Sequence, residues 1–435
     1  MSGATTFKPS ALRTTLDVCL GKAEIALGRL VHVKQGQREF SQFAYHEAWL
    51  TDPSSIDISP DLVRQTGYQL HKPYSRNDSC FFHALADTEP DAWGRRVIAR
   101  AHAKARAKDA SLAALTEIDY LTAVDDFSRV GAIRLRDDQG HYLRSVAEGE
   151  RATPALIELD RIFQASRAVE LSRETAEDLS YLQGKGTSLG GMRPKCTVLD
   201  TDGALALGKF PSVNDERSVT KGEVLALQLA RLAHINSAQA RIVMVQNTPV
   251  AVIRRFDRTP QQARIPYLSG ASLLQARRED EHSYTEVVDI MRSYCKDFAV
   301  NAKQLWRRLL FNHLIANVDD HLQNIGFLHT GHNQWTLSPA FDLNPFPDKD
   351  RESKTWLSED TGPVNSVRQL LGQAPRFELS PSEAKLVLTE VIRAVLQWKE
   401  VALSTEVGMH ADELAAFEPA FEGAALQEAL SLSKD

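Results

Sequence analysis

The sequence predicts an α+β protein in two lobes, with a mostly helical C-terminal lobe and a small β/α appendage at the N-terminus. Three observations carry this. Short strand-like segments fill the first fifty residues, a strand–helix–strand order runs from 196 to 256, and helical periodicity dominates after Tyr284. A chain of 435 residues exceeds what one core usually holds, so two or three packed units are expected. The divisions fall at 1–150, 151–260 and 261–435.

In chain order, Leu16–Leu20, 25–33 and 40–45 are apolar-rich and separated by Gly21 and by the polar turn Lys34-Gln35-Gly36-Gln37, which reads as a small antiparallel sheet. Pro90-Asp91 starts a helix over 92–107. From 154 to 182 the pattern is helical again, with Ser172, Glu174 and Glu177 suited to a capped helix. A glycine-rich stretch, 184–191, precedes strand-like segments at 196–199, 204–210, 240–245 and 250–256, with a helix over 221–233 among them. Leu305, Leu309, Phe311, Leu314, Ile315 and Val318 recur at mostly helical spacing and imply a buried helix. A hairpin over 325–337 follows, and helices from Ser382 close the chain.

Composition narrows the function classes. Hydrophobic residues make up 43% and charged residues 25%, as in ordinary globular proteins. The net charge of −6 and a pI near 6.1 oppose a general attraction to nucleic acid. Cys19, Cys80, Cys196 and Cys295 form no CxxC pair, so neither a structural metal nor a disulfide framework is expected. No basic stretch followed by an apolar run opens the chain, and no window approaches a membrane span. A cytoplasmic protein without membrane contact is expected.

The segment 313–342 carries the chemistry. An apolar helix runs into Asp319-Asp320-His321, Asn324 follows, and Asp342 comes after two short apolar strands. Phosphoryl transfer needs one carboxylate for the attacking hydroxyl, an Asn or Asp holding Mg²⁺, and a second carboxylate on the metal's other side. Asp319 and Asn324 have the Asp-x4-Asn spacing of a protein-kinase catalytic loop. Asp320 alone reads as a cap or a solvated carboxylate. Lys209 ends the apolar strand 205–208, where an unpaired ammonium is costly, and Glu223 at the start of the next helix is its candidate partner. The glycines of 184–191 suit close backbone approach to phosphate but match neither a Walker A loop nor a regular GxGxxG, and a surface loop is the ordinary alternative. Residues 95–108 hold six Lys/Arg, a route to nucleic acid or an acidic partner, or else a solvated helix face.

Taken in order, these motifs resemble the HipA family of bacterial toxin kinases over most of the chain. Ser188-Leu189-Gly190-Gly191-Met192-Arg193-Pro194-Lys195 is similar to the family's phosphate loop, and Leu207-Gly208-Lys209 to its strand with an ATP-contacting lysine. Arg255-Phe256-Asp257-Arg258 resembles its stretch beside the nucleotide. The catalytic loop and metal motif resemble Asn317–Asn324 and Leu337–Asp342. Pro90-Asp91-Ala92-Trp93-Gly94-Arg95 and Val130-Gly131-Ala132-Ile133 resemble N-terminal landmarks. The resemblance implies a two-lobed, protein-kinase-like fold and a serine/threonine kinase using ATP and Mg²⁺. Asp319 would be catalytic, with Asn324 and Asp342 on the metal. Lys209, Glu223, Ser188, Gly190, Gly191, Lys195, Phe256 and His321 would lie at the nucleotide. Ser188, with Thr187 beside it, would be the autophosphorylation site, where an added dianion would repel ATP phosphates. The implied partners are a small DNA-binding antitoxin of the HipB type and a protein substrate, typically glutamyl-tRNA synthetase. DNA would be reached through the antitoxin or through the basic segment 95–108. Three departures stand out: Gln323 for a lysine, Arg254 for an acidic residue and Phe341 for a tyrosine. A catalytically quiet corepressor, a metal-dependent nuclease or hydrolase, and a small-molecule phosphotransferase are the alternatives.

Overall fold

The computed structural model describes residues 11–21, 25–145, 154–183, 192–347 and 352–434. The N-terminal region is built on β1 (Leu12–Leu20), β2 (Ala26–Gln35), β3 (Arg38–Tyr45) and β4 (Gln69–His71), followed by helix α1 (Ala92–Lys108) and strand β5 (Ile133–Arg136). The sheet is antiparallel in the order β4-β3-β2-β1-β5, with Leu16 opposite Leu30 and Leu30 opposite Phe43. The polar turn expected between β2 and β3 is a two-residue turn whose first residue, Gly36, has a φ of +63°, a conformation glycine adopts without cost. Asp91 caps α1 by accepting from the Gly94 amide at 2.6 Å.

Helices α2 (Leu159–Glu170) and α3 (Ala176–Gln183) come next. Here the sequence reading is corrected. Ser172 is not a cap: its φ of +56° ends α2, and its hydroxyl accepts from Arg100 at 3.0 Å. Thr175 caps α3 instead, in reciprocal bonds with Asp178. The second sheet holds β6 (Lys195–Leu199), β7 (Leu205–Lys209), β8 (Ala240–Val245) and β9 (Thr248–Arg254) in the order β6-β7-β9-β8, all antiparallel. Helix α4 (Val219–Leu232) connects β7 to β8 and is buried on most sides. Side chains of α1, α2, α3 and this sheet share a core that includes Trp93, Val97, Ile162, Val198 and Phe210.

The C-terminal region adds β10 (Tyr267–Ser269), α5 (Tyr284–Tyr294), α6 (Phe298–Leu314), β11 (Gly326–Gly331), β12 (Gln334–Leu337), β13 (Trp356–Ser358), α7 (Pro381–Val395) and α8 (Ala424–Leu432). Leu305, Leu309, Leu310, Phe311 and Leu314 of α6 are all within 2% of full burial, each contributing about 2 kcal/mol by leaving water. Among the described residues no helix is long and apolar enough to cross a membrane. The four cysteines are buried, and none is in a disulfide among the described residues.

Candidate active site

The hairpin β11–β12 gathers the carboxylates and amides that the sequence spreads over 319–342. Phe327 stands opposite Leu337, and the Ser338 amide donates to the Gly326 carbonyl at 2.8 Å. Asn324 and Asp342 therefore leave the same end of the hairpin. The chain after Asp342 then runs back along the end of α6, with Phe346 N on Ala316 O at 3.2 Å and Asn344 N on Asn317 Oδ1 at 3.4 Å. On the other side, Ala340 exchanges backbone bonds with Asn236 and Ala238, which lie between α4 and β8.

Lys209 joins this segment to the second sheet. Its Nζ lies 2.6 Å from Glu223 Oε1 and 2.8 Å from Asp342 Oδ1. Burial alone would lower the lysine's pKa, but the Asp342 and Glu223 carboxylates outweigh it and push it up. Burial would raise Asp342, but Lys209 and Lys195 hold its carboxyl well below the usual range. Burial pushes Glu223 up, against the pull of Lys209. Asp342 takes the left-handed conformation at φ +55°, which Asp tolerates better than most residues, and its Oδ1 also accepts from Asn344 Nδ2 at 3.0 Å. Strained backbone of this kind clusters at functional sites.

Lys195 lies opposite Lys209 in the β6–β7 register. Its ammonium, 3% exposed, is held at 3.0 Å by Asp91, the residue that caps α1. Burial lowers its pKa, Asp91 opposes that, and Lys209 adds to it. Sequence reasoning missed Asp91 as a partner, although a second lysine on a buried strand signals the need for a carboxylate. Ser188, Thr187, Gly190 and Gly191 lie outside the described residues.

Asp319 and Asn324 face each other across one turn, with Asn324 Nδ2 donating to the Asp319 carbonyl at 2.8 Å. That bond occupies the amide nitrogen and leaves the side-chain oxygen as the end suited to a hard cation. Asp319 keeps a half-exposed carboxylate, paired with the Lys354 ammonium and 3.9 Å from His321 Nε2. His321 Nδ1 is buried without a hydrogen-bond partner among the described residues. Asp320 is neither a cap nor solvated. It is 6% exposed and accepts from Tyr284 Oη at 2.8 Å, from Ser353 Oγ and from the Lys354 amide at 2.8 Å. Burial raises its pKa against these bonds.

The stretch 255–258 does two jobs. Phe256 packs against Phe341 in a tilted pair with ring centroids 5.4 Å apart. Its charged neighbours turn inward: Arg255 and Arg258 both hold Asp257, at 2.5 and 2.7 Å, and bond the backbone carbonyls of 127–131. Asp257 in turn accepts from the Gly131 amide at 2.8 Å. The two N-terminal landmarks are thus fastened to the site, one through Gly131 and one through Asp91. Arg254 pairs with Asp202 at 2.7 Å on the surface. In the basic segment, Arg95 pairs with Glu89 and Glu117, and Arg100 with Glu174, while Arg96, Arg106 and Lys108 stay exposed.

Buried lysine between two carboxylates, an Asp–Asn turn and a carboxylate at the hairpin end form a site on a kinase-like α+β fold. Residues 16–119 match the HipA N-terminal domain and residues 187–399 the HipA-like C-terminal domain, together well over half of the chain. The chain belongs to the HipA family. Over 97% of its length it is similar in fold to HipA of Shewanella oneidensis, solved with HipB and operator DNA, at a TM-score of 0.66, 15% identity and 99% coverage of that chain. A provisionally named kinase of Sinorhizobium fredii, Y4mE, is 24% identical over 69% of this chain and 71% of its own length. A provisionally named kinase of Haemophilus influenzae is 27% identical over 22% of this chain, a match that spans only 32% of that protein.

Proposed function

We propose that this chain is a toxin-type kinase that transfers the γ-phosphoryl group of ATP to a serine or threonine hydroxyl of a protein. The observation that carries the reading is the trio Lys209–Glu223–Asp342, 2.6 and 2.8 Å apart. A phosphate-binding lysine oriented by a helical glutamate, beside a metal-binding aspartate, is what ATP-dependent phosphoryl transfer requires. The donors fit the cofactors. Asn324 and Asp342 offer the hard oxygens that suit Mg²⁺, and the Lys209 ammonium suits phosphate. Mg²⁺, once bound, would neutralise charge developing on the phosphates. In this reading Asp319 takes the proton of the attacking hydroxyl, and Phe256 with Phe341 forms apolar lining near the nucleotide. Lys195, Gly190, Gly191 and Ser188 belong to its phosphate loop, and His321 to the catalytic turn. A hydrolase with two metals is less well supported, because one ammonium already serves both Glu223 and Asp342.

The same reading makes Ser188 or Thr187 the autophosphorylation site and a HipB-type DNA-binding protein the partner. The substrate is a tRNA-charging enzyme such as glutamyl-tRNA synthetase, in the cytoplasm. The partner is supported by the fold likeness to a HipA solved with HipB and operator DNA. The units 1–150, 151–260 and 261–435 are then appendage, nucleotide lobe and catalytic lobe. The test is incubation of phosphatase-treated protein with Mg²⁺ and ATP, beside Asp319→Asn, followed by intact mass and phosphopeptides. Wild type is expected to gain phosphate at Ser188 or Thr187, and the variant none. Equal gain in both removes Asp319 from its role.

A further inference from the structure

We infer that Lys354 is a catalytic residue whose ammonium contacts the transferring phosphoryl group, supplying a cation that the catalytic loop lacks because position 323 is glutamine. The inference rests on the kinase reading above. Its starting point is the ion pair between Lys354 Nζ and Asp319 Oδ1. Surface ion pairs are common and contribute little, so the pair alone means nothing. What distinguishes it is how the base of this lysine is fixed. Its own amide donates to Asp320 Oδ1 at 2.8 Å, Ser353 Oγ donates to Asp320 Oδ2, and Thr355 Oγ1 donates to the Asp320 carbonyl at 2.9 Å. Tyr284 Oη closes the same buried carboxylate from α5 at 2.8 Å.

A carboxylate is buried only when its lone pairs are satisfied, and here Ser353, the Lys354 amide and Tyr284 satisfy them, while Thr355 holds the Asp320 backbone carbonyl. The outcome is geometric. Asp319 and Lys354 lie 35 residues apart in sequence, yet both are tied to Asp320, one by the peptide bond and one by hydrogen bonds. The Lys354 side chain remains 57% exposed beyond that anchor. It is an exposed ammonium on a fixed base, facing the carboxylate that would meet the attacking hydroxyl.

Phosphoryl transfer spreads negative charge over the three equatorial oxygens, and preorganised cations aimed at that charge supply much of the catalysis. Lys209 is confined between Glu223 and Asp342, and Lys195 is held by Asp91. Gln323, beside Asn324, is exposed and uncharged. Lys354 is the lysine in contact with Asp319 among the described residues. In the transfer, the hydroxyl oxygen forms a bond to the γ-phosphorus, and the bond to the β–γ bridging oxygen breaks. ADP leaves with the electron pair, and the hydroxyl proton passes to the Asp319 carboxylate. Lys354 keeps its protons, releases Asp319 and donates a hydrogen bond to a phosphoryl oxygen.

The test compares wild type, Lys354→Met, Lys354→Arg and the double variant Q323K/K354M, each phosphatase-treated. Single-turnover phosphate gain is read by intact mass, nucleotide affinity with a fluorescent ATP analogue, and folding by circular dichroism. K354M is expected to slow transfer by ~100-fold, the scale of losing one preorganised donor, with affinity unchanged within about twofold. Lys354→Arg retains most of the rate, and Q323K restores at least about tenfold to K354M by returning an ammonium from the loop. A wild-type rate in K354M, a rate loss matched by lost affinity or folding, or no recovery with Q323K overturns the assignment. A wild-type chain that gains no phosphate at all overturns the kinase reading and this inference together, a distinct result from an active wild type with an equally active K354M.

Discussion

Lys209 is the residue on which structure and chemistry make separable demands. Its ammonium is shared between two carboxylates that burial has taken out of water, so Lys209→Met leaves Glu223 and Asp342 facing each other without it. Breaking a buried pair in this way costs about 3–5 kcal/mol. Restoring the trio's original net charge with K209M/E223Q should recover most of that stability in urea unfolding, while phosphate transfer stays abolished in both variants. Recovery of transfer alongside stability would show that the lysine serves only the fold. Much of this was legible in the sequence, because a lysine on an apolar strand needs an acidic partner and Glu223 was near. The same logic applied to Lys195, but its partner Asp91 lies 104 residues away and reads locally as a helix cap. Lys354 was not legible: an exposed lysine carries no pattern, and its place depends on a contact with Asp320 34 residues distant.

At the scale of elements, the strand ending at Arg254 and the loop 127–131 are joined by charge rather than by apolar packing. Asp257 is buried, and burial would raise its pKa, but Arg255 and Arg258 hold it well below the usual range. Burial pushes Arg258 down to about 9, a sign of how little water reaches the cluster. Asp257→Ala leaves two guanidinium groups buried without their counter-charge, at a cost of about 3–5 kcal/mol. Hydrogen exchange should show 127–134 losing protection first, since those carbonyls are what the arginines grip. Uniform loss across the chain would argue against a local clamp. Strand and helix positions were largely readable, since period-2 and helical apolar spacing reflect local geometry. Ser172 misled because an acidic residue after a serine is a cap signature only where the backbone is extended, and here it is left-handed. The inward turn of Arg255 and Arg258 was unreadable, since two arginines beside an aspartate look equally natural at a nucleotide or in a clamp.

For the whole molecule, the buried carboxyls divide into two sets with opposite pH dependence. Asp257 and Asp342 are held low, so their contribution is present above the usual carboxylate range and is lost as pH falls toward their folded values. Asp87 and Glu89 belong to the other set. Burial pushes Asp87 up to about 6 despite bonds from the Ser269 amide and hydroxyl at 2.7 and 2.8 Å, and pushes Glu89 up to about 7 despite Arg95. A raised acid binds its proton more tightly in the folded chain, so its contribution is complete below pH ~4 and disappears as pH rises through the folded value. For Asp87 the difference from 3.8 to about 6 corresponds to about 3 kcal/mol. Stability should therefore peak in mildly acidic solution and decline by a few kcal/mol between pH ~4 and ~8. Because Asp87 joins the N-terminal region to Ser269 ahead of α5, that decline is a weakening of the seam between the two regions. Asp87→Asn keeps an acceptor for Ser269 and removes the titration, so its urea-unfolding free energy should fall less over the same range and exceed wild type at pH 8. If wild type and the variant decline in parallel, the loss arises elsewhere in the chain. If wild type gains stability from pH 4 to 8, Asp87 and Glu89 do not set the profile over that range.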